Sequence, residues 1–174
     1  MRAWRRWQLL LLLFFAAHAA AAGYRSFELA SDRATLTITT VDGKTFEAPR
    51  LPEQADYDTP RISADGRHIG WLARFPNCCT SYPIALKLVV LDPAGRQHSF
   101  SGQELALFDW QFVPGAPASV AFRQGVLHGT DAQHFEWRRV SDGHLLAEYD
   151  YPHGDLANER ARQRAPAWVR RVPD

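Results

Sequence analysis

Residues 60–75 read "PRISADGRHIGWLARF", and their pattern decides the fold. Asp65-Gly66 is a turn pair: the Asp side chain can bond the backbone two residues on, and the Gly accepts a left-handed φ. Beyond it, Ile69, Trp71, Ala73 and Phe75 fall at every second position, which puts them on one face of a strand and on no common face of a helix. The segment is therefore a strand entry, a turn and a strand. Downstream, "IALKLVVLD" (84–92) is β-branched and apolar, Pro93-Ala94-Gly95 marks the next turn, and "RQHSF" (96–100) returns. Successive strands joined by short turns form an antiparallel meander.

Working outward, the second half repeats the plan. "LALFDWQFV" (105–113) leads through "PGAP" to "ASVAFRQ" (118–124), with Val120 and Phe122 inward, then "HFEWRRV" (134–140), an Asp142-Gly143 turn and "HLLAEYD" (144–150). Ile62 matches Phe112, Ile69-Gly70-Trp71 matches Val120-Ala121-Phe122, and Gly95 matches Gly143. The repeat units are thus about 61–103 and 105–150, on the length scale of a four-stranded blade. Trp71, Trp110 and Trp137 recur at comparable places in the units and read as core. Upstream, "TLTITTV" (35–41) alternates and turns through Asp42-Gly43 into "KTFEAPRL", a hairpin. Residues 24–34 carry a weak signal, and the polar, proline-bounded "PEQADYDTP" (52–60) reads as a loop.

A lone meander leaves an apolar face in water, at a cost of about 25 cal/mol per Å². The expected fold is all-β: repeated antiparallel meanders packed as an incomplete propeller-like stack or a sandwich, or closed by another molecule. "LANERARQRA" (156–165) is helix-permissive and Pro166 stops it. A short C-terminal helix pinned by Trp168 and Val169 is expected within the tail 151–174.

The N-terminus, "MRAWRRWQLLLLLFFAAHAAAAG", has arginines at 2, 5 and 6, a short apolar core and then small residues, the order of a secretory signal. Cleavage after Ala22 would leave a single β-rich domain, 23–174, in the periplasm or outside the cell, with no stable membrane span after cleavage. The whole chain carries 20 Lys+Arg against 19 Asp+Glu, and loss of the leader arginines tips that balance slightly acidic. Nucleic acid, which selects a concentrated basic face, is not an expected partner.

The turn-and-strand segment "PRISADGRHIGWLARF", with "LKLVVLDPAG" after it, resembles blades of TolB-type and WD40-like β-propeller repeats. The positions that carry the resemblance are Ser63, Asp65, Gly66, the strand 69–75 and the turn 92–95. The resemblance implies structural roles for these residues and binding activities directed at proteins or glycans as often as catalysis. "GWLARFPNCCTSYPIALKLVV", with "FDWQF", "VLHG" and "DGHLLAEYD", is also similar to a group of small exported proteobacterial proteins, which agrees with export.

Both cysteines stand together in "FPNCCTSYP" (75–83). Neighbouring α-carbons are about 3.8 Å apart, below the roughly 4.4–6.8 Å that disulfides prefer. An oxidised Cys78–Cys79 ring would lock a tight turn and contribute little to global stability. A reduced pair and a metal or redox pair are the alternatives; the last lacks the two-residue spacing of common sites. In "LHGTDAQH", His128, Asp131 and His134 could supply three N/O metal ligands, without a visible fourth. Asp109, set between aromatics in "LFDWQF", requires an arginine or backbone N–H groups if it turns inward. No glycine-x-serine-x-glycine elbow and no glycine-rich phosphate cradle occurs.

These features point to non-catalytic recognition of another envelope or secreted protein, without a cofactor, through a surface containing Cys78, Cys79, Tyr82, His128 and Asp131. The alternatives are a small metal-dependent or acid–base hydrolase centred on His128, Asp131 and His134, and an architectural envelope component that self-associates.

Overall fold

The computed structural model describes residues 23–173 apart from 79, 104, 105, 129, 153 and 155–157. The expected leader, 1–22, lies outside the described residues. Three antiparallel sheets follow one another along the chain. The first holds β1 (Tyr24–Leu29), β2 (Leu36–Thr40) and β3 (Thr45–Glu47). The second holds β4 (Asp56–Ile62), β5 (Ile69–Phe75), β6 (Ile84–Leu91) and β7 (Gln97–Phe100). In the third are β8 (Ala106–Val113), β9 (Ser119–Gly125), β10 (Gln133–Arg139) and β11 (Leu145–Tyr151). Sequence neighbours are sheet neighbours throughout, so each sheet is a meander. The expected all-β stack of meanders is the fold of the chain.

Two apolar layers join the three sheets. Leu36 and Ile38 of the first sheet meet Tyr57, Ile69, Trp71 and Val89 of the second. Leu72, Leu88 and Val90, from the other face of the second sheet, meet Leu107, Trp110, Val120 and Phe122 of the third. Burial on both faces explains why residues 69–73 and 88–91 are apolar at nearly every position. The internal repeat is spatial as well: Ile69 and Trp71 point to the preceding sheet, as do Val120 and Phe122. Gly66, Gly95 and Gly143 hold φ of +69°, +75° and +71° in the predicted turns.

Trp71 and Trp110 are core residues of the two layers, while Trp137 is partly buried against the C-terminal segment, and the three occupy different strands: Trp71 on β5, Trp110 on β8 and Trp137 on β10. Their recurrence in successive units does not reflect one blade position.

The structure departs from the sequence expectation at two other places. Residues 24–29 form an edge strand; its side chains are mostly exposed, so it lacks the apolar alternation of an inner strand. Residues 56–60 are strand, not loop. Pro60 is tolerated because β4 is an edge strand and bulges there, with Thr59 at φ +47° and a register shift between Asp58 and Arg61. The polar residues that suggested a loop are ion-paired. Arg74 grips Asp56 through two bonds of 2.6 and 2.9 Å, and Arg33 reaches Asp58 at 3.0 Å.

At one end of the stack the outer face of the first sheet carries the cross-strand rows Ser26–Thr39–Thr45 and Glu28–Thr37–Glu47. Such a polar face does not call for another sheet. At the other end, the C-terminal segment covers Phe135, Ala121 and Tyr151 with Ala161, Ala165, Val169 and Val172. Helix α1 (Glu159–Arg164) starts at Asn158, whose side chain accepts from Arg160 N and Ala161 N. Pro166 ends α1 as expected, but it also opens a second short helix, α2 (Ala167–Arg170). Trp168 packs against Trp137 with ring centroids 6.0 Å apart, and Gln111 Nε2 donates to the Trp168 carbonyl at 3.3 Å. No helix among the described residues is long and apolar enough to cross a membrane.

Candidate recognition edge

The β5–β6 connection (76–83) and the β9–β10 connection (126–132) are equivalent loops of successive meanders, so they emerge at one end of the stack. Tyr82 from the first and Leu127 from the second line a single cavity of about 250 Å³ between the second and third sheets. Leu72, Ile84 and Leu107 lie beneath, while Asp58 and Arg74 bring the charge of their ion-pair network to its rim. Tyr82 is 55% exposed, and Phe108 and Val126 are each 37% exposed, an uncommon grouping of large apolar side chains at one edge.

Phe108 reaches this edge because β8 bulges: the register to β9 shifts between Leu107 and Asp109, releasing the intervening residue from the alternation. Its ring lies against Gly125, where an added Cβ would stand 3.3 Å from Phe108 Cε2, and the Arg123 guanidinium sits 5.7 Å from the ring centroid. Across the loop 76–83, Thr80 N donates to Asn77 Oδ1 at 2.8 Å and Asn77 Nδ2 donates to the Tyr82 carbonyl at 3.0 Å. Side-chain to backbone bonds of this kind hold a turn without regular structure.

Cys78 is exposed on this loop. Cys79 lies outside the described residues, and with it the expected vicinal ring. Tyr82 stands on the cavity, and His128 is exposed next to Leu127. Asp131 turns away: its Oδ1 accepts from Gly154 N at 2.9 Å. His134 sits on β10 with Nδ1 2.6 Å from Asp150 Oδ1 and Nε2 3.7 Å from Glu136 Oε1. His128, Asp131 and His134 are not gathered, and among the described residues no group of three or more His, Cys, Asp or Glu could hold a metal ion.

Two buried carboxylates have structural partners. Glu136 is fully buried on the face of the third sheet that looks toward the second; its Oε1 accepts from Gln124 Nε2 at 2.6 Å and from Gln103 N at 3.2 Å, and Oε2 pairs with Arg138. Gln103 belongs to the crossover between the sheets, so the carboxylate fastens that connection. At the opposite end of the stack, burial alone would raise the Asp92 pKa. Hydrogen bonds from the Arg96 backbone and side chain, from His98 and from Ala94 N outweigh it and hold the group at about 2. Beside it, the Tyr24 hydroxyl donates to the Asp92 carbonyl at 2.8 Å, and burial reinforced by the Asp92 charge pushes that phenol up to about 12.

Asp109 resolves in the structural direction. Arg61 reaches it at 2.9 Å from the second sheet, and Trp110 N donates to the same oxygen at 2.6 Å. The residues that sequence reasoning missed are Phe108, Leu127 and Val126. The sequence held no signal for Phe108: strict alternation in "LALFDWQFV" puts it on the face of Trp110 and Phe112, and only the bulge takes it off that face. Comparisons with protein-family models, curated proteins and solved structures return no match.

Proposed function

We propose that the protein is an exported, non-catalytic recognition domain that binds another envelope or secreted protein through the edge formed by loops 76–83 and 126–132 and by Phe108. One observation carries the reading: Tyr82 and Leu127, from loops of different sheets, share one apolar cavity beside the exposed Phe108. Aromatic anchors set in a pocket and rimmed by charge are the composition of protein-binding hot spots, where a few residues dominate affinity. Loops carried on a rigid sheet stack also present those anchors with little ordering cost. The arginine-rich leader followed by an apolar core supports a periplasmic or secreted location. The resemblance to propeller blades is compatible with this, since it implies binding activities directed at proteins or glycans as often as catalysis.

A hydrolase at His128, Asp131 and His134 has less support, because Asp131 is bonded to Gly154 and His134 to Asp150. Affinity capture from envelope extract tests the proposal. The tagged chain retains a partner, Tyr82→Ala and Phe108→Ala each lose most of it, and Thr45→Ala on the distant outer face of the first sheet does not. Capture unchanged in both edge variants would end this reading.

A further inference from the structure

Two adjoining cavities, of about 280 and 340 Å³, open between the second and third sheets at the end of the stack opposite the recognition edge. Their two walls differ in chemistry. The second sheet supplies polar groups from its turns and strand ends: Asp65, His68, Asp92 and His98. The third supplies Phe112, Ala118 and Val140, which continue the apolar layer between the sheets, and the proline-bounded connection 114–117. His68 lines both cavities, its ring 6.2 Å from that of Phe112.

Part of the polar wall is already engaged, since Asp92 is bonded to Arg96 and lies 3.3 Å from His98 Nε2. His68 is not: its half-buried ring has no hydrogen bond among the described residues. Burial outweighs the attraction of the nearby Asp65 and Asp92 charges and holds its pKa below the ordinary value, so at neutral pH the ring offers one donor and one acceptor without a charge. Asp65 is held in place beside it. Its Oδ1 accepts from Ser63 Oγ at 2.6 Å and from Arg67 N at 3.0 Å, which fixes the carboxylate and leaves Oδ2 without a hydrogen bond among the described residues.

This arrangement selects a ligand by charge and by shape. Among the described lining residues two carboxylates, Asp65 and Asp92, stand with two guanidinium groups, Arg67 and Arg96, so a ligand with net charge gains little. A flat aromatic ligand would suit Phe112 but lay its second apolar face over His68 and Asp65, leaving their hydrogen bonds unmade. A hexopyranose has C–H groups on one face and hydroxyls around its edge, and so matches an apolar wall that faces a polar one.

We infer that the cavity pair at His68 binds an uncharged sugar ring, its hydroxyls held by His68 and Asp65 and its C–H face resting on Phe112. The site lies at the far end of the strands from loops 76–83 and 126–132, so it stands or falls separately from the recognition edge.

The probes are the methyl glycosides of glucose, mannose, galactose and N-acetylglucosamine, titrated against the full described chain by ligand-observed NMR, with cyclohexanol as a ring of equal size that lacks the hydroxyl edge. At least one glycoside is expected to bind and cyclohexanol is not. His68→Phe, which keeps a flat ring and removes its nitrogens, and Phe112→Leu, which removes the aromatic face, should each weaken binding about tenfold; Thr45→Ala should leave it unchanged. The near-ultraviolet signal of Trp110, which packs on Phe112, checks folding. In the parent chain the His68 and Phe112 ring resonances should shift as sugar is added, a readout that does not depend on any variant folding. Binding of none of the four glycosides, equal binding of cyclohexanol, or ring resonances that stay in place at saturation overturns the proposal.

Discussion

The indole N–H of Trp110 donates to the carbonyl of Thr59 at 2.9 Å, bridging the second and third sheets. That carbonyl points across the interface because Thr59 sits in the β4 bulge at φ +47°. Arg61, just beyond the bulge, lies 5.7 Å from the Trp110 ring centroid and pairs with Asp109. The bulge is thus a latch between sheets. Replacing Trp110 with Phe keeps an aromatic ring and deletes the donor, leaving the carbonyl unpaired, and is expected to cost about 1–2 kcal/mol. Trp110→Ala should cost about 3–5 kcal/mol through the cavity it opens. Urea melts of both variants measure the difference.

Gly70 sets how closely the second and third sheets approach. A Cβ there would lie 2.7 Å from the Val89 carbonyl oxygen and 2.9 Å from Trp110 Cη2. Gly70→Ala must therefore displace a backbone atom as well as a ring, and a loss of about 1–3 kcal/mol is expected. Because the ring is shared, Gly70→Ala combined with Trp110→Phe should be less destabilising than the sum of the two, read from the same denaturation curves.

Asp92 makes stability depend on acid. Its folded-state pKa of about 2 lies below the ordinary 3.8, so its contribution is full above pH 4 and is lost as pH falls from there through about 2. Arg96, its ion-pair partner, is largely in solvent, which limits the effect to about 1 kcal/mol. Stability measured across that window should fall less steeply in Asp92→Asn than in the parent chain.

Glu136 is buried, and Arg138 supplies its countercharge from a partly exposed position. Arg138→Ala leaves the carboxylate with its amide partners and the His134 ring, Nε2 3.7 Å away, and should destabilise by about 2–3 kcal/mol. Glu136→Met together with Arg138→Met should recover much of that loss, since the unpaired charge is gone. Thermal or urea denaturation distinguishes the two outcomes.

Strands flanking Asp-Gly and Pro-Ala-Gly turns were legible because those turns are local: Gly66, Gly95 and Gly143 need only their own φ. The stack itself was legible from the matching apolar positions of the two units. β4 was not, because Pro60 and three acidic neighbours look like a loop until Arg74 of β5 and Arg33 of the β1–β2 turn are brought to them. Tyr82 stood out by its proline- and aromatic-rich setting. Phe108 did not, since its exposure depends on a bulge set by the register between β8 and β9. Local chemistry was readable; cross-strand register was not.

Photocrosslinking in the exporting cell tests the recognition edge most directly. A photoreactive phenylalanine analogue replaces Tyr82, Val126 or, as control, Thr45 on the polar outer face of the first sheet. Positions 82 and 126 are predicted to capture the same protein, position 45 to capture none of it, and Phe108→Ala to abolish both adducts. No adduct at 82 or 126, or an equal adduct at 45, would contradict the account.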